Sequence, residues 1–207
     1  MIALVDYGAG NLTSVRKALS HVGASVWTPS VPGELARARG IVVPGVGHFD
    51  STRRLTDDWR TAIKTMADDG VPLLGICVGL QWLFEGSEEA PEVSGLGSFA
   101  GSCLLLGSSP SPQALKPSSP LKVPHVGWNS LRLPRSSRLM AGIEEATQVY
   151  FTHSYAAPIV DDTVAICEYG VPFSAAVERG NISAVQFHPE KSGDAGIGIL
   201  SNWTDAL

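Results

Sequence analysis

Gly75-Ile76-Cys77-Val78-Gly79 places a thiol between two glycines at the point where the aliphatic run "LLGIC" gives way to "VGLQWLF". A strand that turns sharply into a helix holds one residue on a strained bend, and small neighbours let that side chain stand clear of the sheet. This is the context of a nucleophile elbow, with Cys in the place of Ser. A thiol there sits at a helix N-terminus, where oriented N–H groups favour the thiolate and can bind a developing oxyanion. Taken alone, the pattern also fits a core Cys in a glycine-rich turn, because a nucleophile needs a base.

The chain has five histidines, His21, His48, His125, His153 and His188. A base should lie near a strand end with a carboxylate to orient it, and "AVQFHPEKS" offers that arrangement. His188 follows an apolar strand and Glu190 is two positions on, so in extended backbone both side chains point the same way, with Pro189 stiffening the link. The carboxylate can hold the imidazole tautomer while the other ring nitrogen faces the thiol. The competing reading is a surface turn. A third feature, "VVPGVGHFD", runs a strand into glycine-rich backbone at Pro44-Gly45-Val46-Gly47 that can present N–H groups to an oxyanion or a substrate. "DYGAGN" is not a dinucleotide loop, because Thr13 stands where the third glycine is required. Together, a thiol elbow, a His-Glu pair and a glycine cradle, each at the carboxyl end of a predicted strand, point to nucleophilic catalysis at the edge where open α/β sheets carry their sites.

The elements that must position these groups are legible in outline. "MIALVD" (1–6), "ASVWT" (24–28), "GIVVPG" (40–45) and "VPLLGIC" (71–77) read as buried strands. Between them, "NLTSVRKALSHVG" (11–23) aligns Leu12, Val15, Leu19 and Val22 at helical spacing with Gly23 as a stop. The stretch from Asp50 to Gly70 reads as a second amphipathic helix carrying Leu55, Trp59, Ile63 and Met66. Strands alternating with helices predict a mostly parallel, doubly wound α/β sheet. The C-terminal half is strand-rich, at "GWNSLRL" (127–133), "TQVYFTHSY" (147–155), "TVAICEY" (163–169), "FSAAVERG" (173–180) and "ISAVQFH" (182–188), at intervals that predict antiparallel pairing. "GSSPSPQALKPSSP" (107–120) reads as a surface loop, and "GDAGIGILSNW" as a C-terminal helix.

Composition bounds the reading. At 207 residues the chain is expected to form one domain, 1–207, and 44% hydrophobic with 17% charged residues is ordinary for a folded chain. A net charge of −5 without a basic stripe argues against nucleic acid as a partner. No apolar run reaches the ~20 residues that span a bilayer, and "MIALVDYGAGN" lacks a basic leader, so the expectation is an unprocessed cytoplasmic protein with no membrane partner. Cys77, Cys103 and Cys167 form no CxxC pair, which fits a reducing compartment and neither a disulfide framework nor a zinc knuckle. Cys103 and Cys167 sit in strand-like runs as small buried hydrophobes.

"DYGAGN", "PGVGHF", "GICVGLQ", "KVPHVGWN", "YFTHSY" and "QFHPEKS", in that order and over nearly the whole length, make the chain resemble the class I, or triad, glutamine amidotransferases. More narrowly it is similar to the glutaminase subunits of imidazole glycerol phosphate synthase. The resemblance implies that L-glutamine is hydrolysed to glutamate and ammonia, with Cys77 as nucleophile, His188 as general acid and base, and Glu190 orienting it. It implies an oxyanion hole from the amides of Val78 and of Val46 or Gly47 in the 45–47 loop, and substrate contacts from Gln81, Glu89, Ser154 and Tyr155. Gln81 also lies one helical turn past Cys77, on the same face. His125 and His153 receive structural roles, and neither a cofactor nor a metal is implied. The implied partner is a cyclase subunit, a (β/α)8 barrel, forming a heterodimer and receiving ammonia through an internal tunnel. There ammonia would combine with phosphoribulosyl-formimino-AICAR ribonucleotide to give imidazole glycerol phosphate and AICAR ribonucleotide, as in histidine biosynthesis. Asn11, Trp128 and Lys191 match the docking face.

Two other readings stand beside this one. A glutaminase subunit of pyridoxal phosphate synthase is similarly small, but a Gly-Glu-Ser motif is expected where this chain has "PGVG". A non-catalytic amidotransferase-like scaffold would not need Cys77, His188 and Glu190 intact. The chain departs from the family pattern at 102–120, where "SCLLLGSSPSPQALKPSSP" replaces a segment that usually carries a charged strand end. Catalysis is not expected to depend on it. The glycines of the 45–47 loop would make a peptide flip there cheap, so a site completed only with its partner is also an expectation.

Overall fold

The computed structural model describes residues 1–107 and 121–207, so most of the predicted loop at 107–120 lies outside the described residues. The N-terminal half alternates as expected: β1 (Ile2–Leu4), α1 (Leu12–His21), β2 (Val26–Trp27), β3 (Gly40–Gly45), α2 (Asp57–Asp68), β4 (Leu73–Cys77) and α3 (Val78–Leu83). Asn11 caps α1, its side chain accepting from the Ser14 amide at 3.3 Å, and Val15, Ala18 and Leu19 form the buried stripe. The chain leaves α1 through Gly23 at φ 84°, a left-handed position that glycine takes without strain.

One expected helix is two elements. Phe49–Arg54 is a 3-10 turn, and α2 starts only at Asp57, with Asp57 and Asp58 in its first turn. Carboxylates there complement the positive end of the helix, which is why the start falls at this point and not at Asp50. Leu55 lies between the two elements and is still buried.

The second half comprises β5 (Gly86–Ser87), β6 (Ser102–Leu105), β7 (His125–Ser130), β8 (Gln148–His153), β9 (Tyr155–Ala156), β10 (Thr163–Tyr169), β11 (Val171–Arg179), β12 (Ile182–Val185) and α4 (Gly193–Thr204). The main sheet has the order β10-β11-β12-β4-β3-β1-β2. Its five strands from β12 to β2 pair in parallel, and β10, β11 and β12 pair antiparallel. The chain runs from β1 outward to β2 and then back to β3 on the other side of β1, so right-handed crossovers set α1 and α2 on opposite faces. This is the α/β fold expected, with antiparallel strands added.

The antiparallel expectation for the second half needs one amendment. β7 pairs antiparallel with β8, and β6 with β9, but β12 joins β4 in parallel. That join welds the two halves of the chain into one sheet. The core follows it: Ile2, Leu4, Ile41, Val42, Val43, Leu73, Leu74, Ala184 and Val185 are all at most 1% exposed. Each Val, Leu or Ile side chain buried in that way contributes about 1.5–3 kcal/mol relative to exposure.

Candidate active site

β4 delivers Cys77 to the carboxyl edge of the sheet, and the backbone there is strained. Cys77 adopts φ 55° and ψ −107°, a left-handed conformation that a residue with a Cβ rarely takes and that costs about 1–3 kcal/mol. Its neighbouring glycines do more than clear room for a side chain. A Cβ on Gly75 would lie 2.7 Å from the Gly79 carbonyl oxygen, and one on Gly79 would run into the carbonyl oxygen of Val43. A Cβ on Gly45 would meet the Tyr7 hydroxyl and lie 2.7 Å from the Cβ of Val78. The glycines therefore let the first turn of α3 rest backbone to backbone on β3 and β4, which is what holds the elbow.

The parallel join of β12 to β4 brings the base to the thiol. Ala184 pairs with Gly75 and Val185 with Ile76, so the chain leaves β12 beside the end of β4 and reaches His188 three residues later. His188 and Glu190 are not linked by extended backbone as expected. Pro189–Lys191 forms a 3-10 turn, because proline is compatible with a helical start and the turn is closed by the Lys191 amide donating to the His188 carbonyl at 2.9 Å. The pair forms nonetheless: His188 Nδ1 and Glu190 Oε1 are 2.8 Å apart, and both side chains are 1% exposed. The His188 amide donates to the Tyr150 carbonyl at 2.9 Å, and the Ser192 hydroxyl to the His188 carbonyl at 2.7 Å, fastening the turn to β8.

Burial alone would lower the basicity of this imidazole. Its interactions with Cys77 and Glu190 outweigh burial and raise it to about 10. With Nδ1 committed to the carboxylate, Nε2 is left buried, with no conventional hydrogen-bond partner among the described residues. Such an arrangement can carry a proton, with one nitrogen anchored and the other turned to the sulfur.

A cleft of about 340 Å³ opens over the elbow, lined by Cys77, Val78, Gly47, Gln81, Glu89, Ser154 and Tyr155 among others. All four residues expected to contact substrate thus stand around the thiol. Gln81 is 3% exposed and its amide nitrogen donates to the Tyr155 carbonyl at 2.9 Å and to Gln186 Oε1 at 3.2 Å. Glu89 accepts from the Phe49 amide at 2.7 Å, tying the end of the 45–49 loop to the cleft wall. Val46 and Gly47 follow Gly45, which pairs with Cys77 in the sheet, and Gly47 has φ 97°. Among the described residues, no cluster of three or more His, Cys, Asp and Glu could hold a metal.

Asn11, Trp128 and Lys191 lie outside the cleft, and all three are exposed. Lys191 Nζ sits 5.7 Å over the Tyr150 ring, and Trp128 meets the same ring edge-on at 6.1 Å. His125 and His153 are buried and bonded to each other at 3.1 Å. Burial holds both neutral, lowering His153 to about 3 and His125 to about 4.

Two residues near the thiol were not singled out from the sequence. Gln186 is fully buried and its side-chain nitrogen donates to Cys77 Sγ at 3.6 Å. Tyr7 has a buried hydroxyl without a hydrogen-bond partner among the described residues, set against Gly45. For Gln186 the available signal was a carboxamide at the end of an apolar strand in "ISAVQF", since a buried polar group implies a specific partner.

The glutamine amidotransferase class-I family model matches residues 3–205. The chain is 44% identical over 210 residues to the imidazole glycerol phosphate synthase subunit HisH of Moorella thermoacetica, covering 100% of this chain and 95% of that protein. It is 42% identical over 207 residues to the subunit of the same name from Methanosarcina acetivorans, covering 99% and 98%. Among solved structures, that of PurLQS from Thermotoga maritima superposes with a TM-score of 0.72 at 17% identity, over 99% of this chain and 97% of that one, a likeness of fold.

Proposed function

The chain belongs to the class-I glutamine amidotransferases, and on that footing we propose that it is the glutaminase subunit of an imidazole glycerol phosphate synthase, acting in histidine biosynthesis in the cytoplasm. The observation that carries the mechanism is the buried His188–Glu190 pair beside a thiol held at a strained elbow under a cleft of about 340 Å³.

In this reading the Cys77 thiolate attacks the side-chain carbonyl carbon of L-glutamine. Negative charge moves to the carbonyl oxygen, which accepts from the Val78 amide, one of those that a helix start leaves without an intrahelical partner, and from an amide of Val46 or Gly47. As the tetrahedral intermediate collapses, protonated His188 gives its Nε2 proton to the departing nitrogen and ammonia leaves. Water then loses a proton to the same nitrogen and attacks the γ-glutamyl thioester, releasing glutamate and restoring the ion pair. Gln81, Glu89, Ser154 and Tyr155 hold the substrate. Because both hydrogens of the Gln81 amide are engaged within the protein, its Oε1 is the group it offers.

The ammonia passes to a cyclase subunit, a (β/α)8 barrel docked against the exposed residues Asn11, Trp128 and Lys191. In support, Trp128 and Lys191 meet at the Tyr150 ring, and Tyr150 adjoins the turn that holds His188. The test uses the complex with the cyclase. Cys77→Ala is expected to abolish glutamine-dependent synthesis and to leave ammonia-dependent synthesis intact; glutamine-dependent synthesis that survived the substitution would overturn the mechanism.

A further inference from the structure

Gln186 stands where three parallel strands end level with one another. Gly45 pairs with Cys77, and Val185 with Ile76, so Gln186 is one step beyond the last pair of β12 and β4, at the height of Cys77. Its side chain is fully buried, so each end of the carboxamide has to find a partner or leave a polar atom desolvated. The partners it finds are the thiol and a wall of the cleft: Nε2 donates to Cys77 Sγ at 3.6 Å, and Oε1 accepts from Gln81 Nε2 at 3.2 Å.

The direction of this amide is imposed by what surrounds it. Gln81 Nε2 is a donor, and its other hydrogen goes to the Tyr155 carbonyl at 2.9 Å. Turning Gln186 over would bring N–H against N–H and an oxygen lone pair against the sulfur. The Tyr155 carbonyl is in turn fixed from behind, because it also lies 2.9 Å from His153 Nδ1. With His153 donating there, its Nε2 accepts from His125 Nδ1 at 3.1 Å, and His125 Nε2 accepts from Asn129 at 3.3 Å. Each link in this run of hydrogen bonds has its donor and acceptor fixed by the next, which leaves a Gln186 N–H aimed at the sulfur.

We propose that Gln186 is a catalytic residue of this site: its N–H holds the Cys77 sulfur in the thiolate form while its carbonyl oxygen keeps Gln81 turned to receive the substrate. The inference rests on the assignment of Cys77 as the nucleophile. A hydrogen bond to an ionised sulfur is stronger than one to a neutral thiol, so the contact favours the attacking species. It weakens again once sulfur becomes a thioester, and so does not hold the acyl-enzyme back.

The test is the rate of Cys77 alkylation by iodoacetamide, resolved by peptide mass spectrometry, at pH 7 and pH 9.5 in Gln186→Leu and Gln186→Glu. Gln186→Leu is expected to react about tenfold more slowly than wild type at pH 7 and within about twofold at pH 9.5, since alkaline solution favours thiolate over thiol whatever the local hydrogen bonds. Gln186→Glu keeps an acceptor for Gln81 but sets a carboxylate oxygen against the sulfur, and its deficit at pH 7 is expected to be the larger. Cys103 and Cys167 are buried, so their labelling in the same digest reports any loss of fold. Gln186→Glu, which preserves volume, carries the comparison if Gln186→Leu does not fold. A pH 7 to pH 9.5 ratio equal to wild type would overturn the role of Gln186. If Cys77→Ala abolishes glutamine hydrolysis while that ratio stays put, only this inference falls; if hydrolysis survives Cys77→Ala, the assignment of the nucleophile falls and the inference with it.

Discussion

His188 is pulled in two directions: burial disfavours its charge, while the Cys77 sulfur and the Glu190 carboxylate favour it and prevail, raising it to about 10. In its proposed role as general acid, His188 is still protonated at neutral pH and loses its proton only as the solution becomes alkaline. Glu190→Gln removes one of the two favourable charges. The alkaline limb of kcat/KM for glutamine is expected to move to lower pH, with kcat at pH 8 falling about 10²- to 10⁴-fold; an unmoved limb would exclude Glu190 as the group that tunes the imidazole. The same shift contributes to stability. Because the folded value lies above the ordinary 6.5, the contribution is fully present below about pH 6.5 and is lost as pH rises towards about 10. Wild type should therefore lose melting temperature over that window more steeply than Glu190→Gln. The pairing of His188 with Glu190 was legible because the two residues are near neighbours in sequence. The turn that joins them was not, since it is closed by hydrogen bonds to β8 and within the turn that no spacing reveals.

At the scale of elements, the elbow depends on how closely α3 lies on β3 and β4. Gly79 is inside a helix, where helix propensity alone would make Gly79→Ala stabilising by about 1 kcal/mol. The added Cβ would instead run into the Val43 carbonyl, so denaturant unfolding is expected to show destabilisation by about 2–3 kcal/mol. Gly33→Ala, where an added Cβ meets nothing, should stay within about 0.5 kcal/mol of wild type. Stabilisation by Gly79→Ala would remove the backbone contact as the reason for the glycine. The helices and strands of the first half were readable from apolar periodicity, which local packing enforces. The break between the 3-10 turn and α2 was missed because Leu55 keeps the helical apolar spacing, while the two aspartates that mark the true start look like any charged surface.

At the scale of the molecule, β7 presents opposite faces to opposite environments. His125 is buried towards Phe151 and Tyr169, whereas Val126 and Trp128 are 57% and 55% exposed. Large apolar side chains turned outward near Lys191 are what the proposed docking face requires. Trp128→Ala in the isolated chain should leave the melting temperature within about 2 °C of wild type, since little buried area is lost. In titration calorimetry against the cyclase subunit the same variant is expected to weaken binding at least about tenfold, as loss of an aromatic anchor does; unchanged binding would take Trp128 off the docking face.

What this sequence determined by itself is the set of groups and the elements that bear them: the thiol elbow, the His-Pro-Glu turn, the glycine cradle and the alternation of strand and helix. These are encoded within a few residues of one another, where backbone geometry is local. Only the tertiary structure decided that β12 lies parallel beside β4, and so that His188, Gln186 and Cys77, as much as 111 positions apart, meet at one sheet edge. Strand partnership across that distance is set by which surfaces exclude water together, and no local pattern records it.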